Sequence, residues 1–89
     1  MTKEELTQVI LGDDAETFVT SDLGQKVIEL SRRDVDAAAL ELIDVDPEDK
    51  KKVREIQNRI WRATQFEAWL KEIITTAREV LEANKPQQE

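Results

Sequence analysis

From Pro47 to Pro86 the chain contains no other proline and no glycine, and a stretch of that length without a helix breaker constrains the fold more than any other feature. Asp46-Pro47-Glu48-Asp49 reads as a helix start. Asp can cap, Pro has φ preset for the first helical position, and acids in the first turn complement the positive end of the helix dipole. Asn84-Lys85-Pro86 closes the stretch. The expectation is one helix over residues 47–83, about 37 residues and roughly 55 Å long at about 1.5 Å per residue, followed by a short frayed tail over 85–89.

On a wheel of about 100° per residue, Val53, Ile56, Ile60, Ala63, Leu70, Ile74, Ala77 and Leu81 form one seam of alternating three- and four-residue spacing, a coiled-coil-like pattern. Phe66, Trp69, Ile73 and Val80 make a second row beside it. In the C-terminal half the apolar arc therefore spreads over about half the circumference, more than one antiparallel helix can cover.

The segment before this helix is read from its caps. Thr2-Lys3-Glu4-Glu5 is a capping box, which predicts a short helix over 3–11 stopped by Gly12. Asp13 or Asp14 then caps a turn or short helix through Val19. Ser21 caps a middle helix over 22–44, in which Ile28, Val35, Ala39 and Leu42 form an apolar stripe. Gly24, Ser31 and Ala38 recur along it at intervals of seven, and small side chains there admit a closely packed neighbour. Leu23, Leu30 and Ala37 make a second row, so neighbours are expected on two sides.

The expected class is all-α: a short N-terminal helix plus an antiparallel helical hairpin with a long C-terminal amphipathic helix, in a single domain. A chain of 89 residues buries only about 60–65% of its unfolded surface, so the core must be thin or shared. The middle helix reaches roughly 35 Å and the short first helix about 15 Å. Neither supplies the bulk to bury Phe66, Trp69, Leu70, Ile73, Ile74, Val80 and Leu81 together. The bundle is therefore expected to be completed by oligomerisation, with a dimer favoured and candidate interface residues Phe66, Trp69, Leu70, Ile73, Ile74, Ala77, Val80 and Leu81. The bland alternative is a monomeric three-helix bundle with a projecting helix end.

Trp61 stands apart from both rows, among Lys50, Arg54, Gln57, Gln65 and Glu72. An exposed Trp flanked by arginines is an anchor for a partner, and Trp61 joins the candidate interface on that ground. The competing and favoured reading has Leu11 or Phe18 of the N-terminal segment folded over it.

The net charge is −7, which argues against a general nucleic-acid binder. It is unevenly divided: residues 1–49 hold fourteen acids and four bases, whereas 50–89 hold six acids and nine bases. The halves should attract, within a chain or between chains. Lys50, Lys51, Arg54, Arg59 and Arg62 form a candidate anion patch, although Glu48 to Lys52 is an i,i+4 pair and the acids of the middle helix lie opposite across the hairpin. The acid-rich turn over 44–49 lacks the glycine and terminal Glu of a calcium loop, so no metal or cofactor is expected.

Catalysis is argued against by residue type. With no His, Cys or Tyr, the chain lacks a base poised near neutrality, a thiolate and a phenol, and it has no glycine-rich phosphate loop. No apolar run approaches the ~18 residues of a membrane span, and the first residues lack a signal peptide's basic and apolar regions. A cytoplasmic chain is expected.

Phe18-x-x-Ser21-x-x-Gly24, an Ala- and acid-rich helix, Val45-Asp46-Pro47-x-Asp49, Ile56-Gln57-x-x-Ile60 and Phe66-x-x-Trp69-Leu70-x-x-Ile73-Ile74 together resemble small helical proteins encoded by tailed bacteriophages and prophages, over residues 18–74. The resemblance implies an accessory or assembly protein acting through protein contacts, in host cytoplasm or virion. Two other readings stand beside it: an acidic decoy that occupies the basic groove of a host nucleic-acid-binding or defence protein, and a sponge for nucleotide signals using the basic patch at a subunit interface.

Overall fold

A computed structural model describes residues 1–86; the expected fraying of the last three residues lies outside the described part. Three helices account for almost all of it: α1 (Lys3–Thr20), α2 (Asp22–Asp44) and α3 (Lys50–Ala83), with no strand among the described residues. The protein is all-α.

At the start of α1 the capping box closes in both directions. The Glu5 amide donates to the Thr2 hydroxyl at 3.1 Å and the Thr2 amide donates to the Glu5 carboxylate at 2.9 Å. The helix does not stop at Gly12, as its sequence suggests, but continues to Thr20. A mid-helix glycine costs only about 1 kcal/mol relative to alanine, and here tertiary packing offsets that cost. A Cβ built on Gly12 would lie 2.1 Å from the Ala77 Cβ, so the missing side chain is what lets α3 approach.

Ser21 serves two helices at once. Its amide donates to the carbonyls of Thr17 and Phe18, ending α1, while its hydroxyl accepts from the Gly24 amide at 3.0 Å, starting α2. The Ser21 hydroxyl also donates to the Phe18 carbonyl at 2.6 Å. A Cβ on Gly24 would sit 1.6 Å from that carbonyl oxygen, so α1 and α2 can meet this closely only with glycine there.

Helix α3 begins at Lys50 rather than Pro47. Asp46 to Asp49 instead forms a turn, closed by the Asp49 amide donating to the Asp46 carbonyl at 2.9 Å. Asp at the first and Pro at the second position suit a type I turn as well as a helix start. The carboxylate that caps is therefore that of Asp49, which accepts from the Lys52 amide at 3.1 Å.

Both earlier helices run antiparallel to α3. Along α2, Ser31 donates to the Ala63 carbonyl, Arg32 pairs with Glu67 and Glu41 with Arg59, which places α2 on the N-terminal half of α3. Along α1, Phe18 meets Phe66, Gly12 meets Ala77, Glu16 pairs with Arg78 and Glu5 accepts from Asn84. The second half of α3 thus has an intrachain partner of 18 residues, about 27 Å long and nearly twice the expected reach. The result is a rod of 63 × 27 × 24 Å with a radius of gyration of 18.5 Å, against about 12 Å for a compact chain of this length.

Candidate interaction surface

The contact seam is built from small residues. Gly12 and Ala15 on α1, Gly24, Ser31 and Ala38 on α2, and Ile56, Ala63, Leu70 and Ala77 on α3 line it, and Ala38 and Ile56 are 0% and 1% exposed. Spacing by seven on α2 and α3, and by three on α1, keeps each set on one stripe of a slowly supercoiling antiparallel pair. Small residues bring the backbones together but bury little area. Among the described residues only Ala15, Ala38, Ile56 and Ala77 are buried hydrophobics, and Ile56 alone is both large and fully buried.

Twelve large apolar side chains remain exposed, including Leu11, Leu23, Leu30, Trp61, Trp69 and Ile73. Their positions follow from the seam. A residue one before a seam position is turned about 100° from the contact, and in antiparallel helices these residues share one side of the groove. Leu11 stands there on α1 and Leu23, Leu30 and Ala37 on α2, all on the same side of the rod as Trp69 of α3. Leu11, Trp69 and Ile73 line one open groove, and Phe18 meets Phe66 edge to face at a centroid distance of 6.3 Å.

The opposite side of the groove has a different chemistry. The residues one after the seam include Asp13, Glu16, Gln25 and Arg32 on α1 and α2, and Gln57, Thr64, Lys71 and Arg78 on α3. Arg32 and Glu67 form a two-pronged bridge at 2.8 and 2.9 Å, and Arg78 meets Glu16 at 2.7 Å. The carboxylate of Glu67 raises the Arg32 pKa above its ordinary value by hydrogen bonding and then by charge. Ion pairs that exposed add little stability; they mark this side as wet.

The candidate interface residues divide accordingly. Ala77 is buried against α1, and Phe66, Leu70, Ile74 and Val80 are half-buried, so their apolar surface is largely used within the chain. Trp69, Ile73 and Leu81 are 54%, 37% and 47% exposed. Trp61 is 58% exposed, and the N-terminal cover expected for it is absent: Leu11 is at Trp69 and Phe18 at Phe66, because α1 ends before it reaches Trp61. Leu6, Ile10, Leu40 and Ile43 are further exposed apolar residues, and a wheel drawn through Gly12 would have revealed the first two.

Of the basic patch, Arg59 bridges to Glu41. Lys50, Lys51, Arg54 and Arg62 are exposed and have no ion pair among the described residues. No acidic cluster suited to a metal occurs among the described residues, and no described helix is long and apolar enough to cross a membrane. In comparisons with known proteins, no family model, curated protein or solved structure matches this chain.

Proposed function

We propose that this is a non-enzymatic protein–protein interaction protein that works as a homo-oligomer, a dimer foremost, in the accessory or assembly role of phage and prophage proteins. One observation carries the reading: among the described residues twelve large apolar side chains are exposed against a single large one fully buried. Such a surface suits contact with another protein far better than solvent. The absence of an imidazole, thiol or phenol from the sequence supports a binding rather than a chemical role. The phage assignment rests on the sequence resemblance over residues 18–74.

Light scattering from 5 to 100 µM tests self-association, and a mass of one chain throughout would refute it. Affinity capture from infected or lysogenic cells tests the assembly role, which requires virion or assembly components among the captured proteins. The decoy reading draws support from Glu4, Asp13 and Asp14, exposed on α1 and without an ion pair among the described residues. It requires a basic host protein that binds at low salt and releases as salt rises.

A further inference from the structure

We infer that a second copy of this chain docks on the Leu11, Leu30 and Trp69 side of the rod, with the two rods antiparallel about a two-fold axis near the middle of α3. This rests on the homo-oligomer reading and adds to it a face and an orientation.

Exposed area points to a partner. A compact protein of 10.3 kDa exposes about 5,350 Å² by the usual size scaling. This chain exposes 7248 Å², an excess of about 1,900 Å². A stable standard interface takes about 800 Å² from each partner, so one rod laid along another has ample surface to spare.

The two sides of the rod differ in apolar content. The side after the seam is closed by Arg32–Glu67 and Arg78–Glu16, and covering it would desolvate those charges. The side before the seam presents Leu11, Leu23, Leu30, Trp69 and Ile73, all exposed. That side also carries the Arg59–Glu41 bridge toward the N-terminal end of α3, so the surface to be covered is the apolar stretch around Leu11, Leu30, Trp69 and Ile73, whose burial removes apolar area from water.

Charge favours one orientation. The midpoint of α3 falls at Phe66 and Glu67. Asp14 lies opposite α3 near Ile73, about 10 Å from the midpoint, and Arg62 lies about 7 Å on the other side. Glu4 lies opposite Asn84, about 26 Å out, and Lys52 about 22 Å out the other way. A two-fold axis at the midpoint therefore puts Asp14 at about the level of the partner's Arg62 and Glu4 at about the level of the partner's Lys52. None of these four has an ion pair within its own chain among the described residues. In a parallel dimer each of these four residues would instead lie level with its own copy.

The sequence has no cysteine, so single-cysteine variants report the geometry directly. On mixing and oxidation, Glu4→Cys and Lys52→Cys chains should form a mixed disulfide, while Lys52→Cys alone should form none. In scattering, Trp69→Glu and Leu30→Glu should each halve the mass while keeping wild-type helicity by circular dichroism. Trp61→Glu should leave the mass unchanged, because Trp61 sits about 160° from the seam. A monomeric wild type would overturn both this inference and the homo-oligomer reading. A wild-type oligomer indifferent to Trp69→Glu and Leu30→Glu, or one whose Lys52→Cys chains cross-link to each other, would overturn this inference alone.

Discussion

At the residue scale, the two glycines are the most informative side chains in the molecule because each is defined by what it lacks. An exposed mid-helix Gly→Ala change stabilises by about 1 kcal/mol. Gly12→Ala should do the reverse, since the new Cβ would fall 2.1 Å from that of Ala77. Overpacking of this kind destabilises by about 1–3 kcal/mol, measurable by urea denaturation. Ala77→Gly in the Gly12→Ala background should recover part of the loss, and simple additivity in the double-mutant cycle would refute direct contact. Gly24→Ala should cost more than Gly12→Ala, because its nearest atom is the Phe18 carbonyl oxygen at 1.6 Å and backbone cannot turn aside. Gly12 also shows why part of the fold was not legible. A lone glycine between an apolar run and a pair of acids reads equally as a stop or as a close approach, and only the helix packed against it decides.

At the element scale, the caps were the legible part. Thr2 with Glu5 and Ser21 with Gly24 carry their signals within four residues, and the backbone bonds form where those signals place them. Asp46-Pro47-Glu48-Asp49 was ambiguous because two carboxylates compete for one cap, and the proline serves a turn as readily as a first helical residue. Ser21→Ala should cost about 1 kcal/mol by removing the α2 cap, and hydrogen exchange at Gly24 should quicken. The α1 cap has a pH dependence of determined sign. Bonds from the Thr2 backbone, then Asn84, then the Thr2 side chain hold the Glu5 carboxyl below its ordinary value of 4.5. A depressed carboxylate contributes stability above its unfolded value and loses it as pH falls through the folded one. Protection of the first-turn amides of α1 relative to their intrinsic exchange rates should therefore fall as pH drops below 4.5, and Glu5→Gln should remove that dependence. A first turn equally protected in acid would contradict the assignment.

At the scale of the whole molecule, the sequence wheel located the apolar excess on α3 but not its division. The expected helix ending at Gly12 was too short to bury Phe66, Trp69, Leu70, Ile73, Ile74, Val80 and Leu81 together. The longer α1 takes in Leu70, Ile74, Ala77 and Val80, and leaves Trp69 and Ile73 together with Leu11, Leu23 and Leu30 outside. What covers this side governs how stability depends on concentration. If folding and pairing are coupled, tenfold more protein favours the paired state by about 1.4 kcal/mol per dimer. For a unit of two such chains each kcal/mol moves the melting temperature by about 2–4 °C, so it should rise by roughly 3–5 °C per decade of concentration. Trp69→Glu should flatten that slope as well as lower the melting temperature, whereas Trp61→Glu should change neither. A wild-type melting temperature constant from 5 to 500 µM would mean that the rod folds alone, with its apolar side held for a different protein.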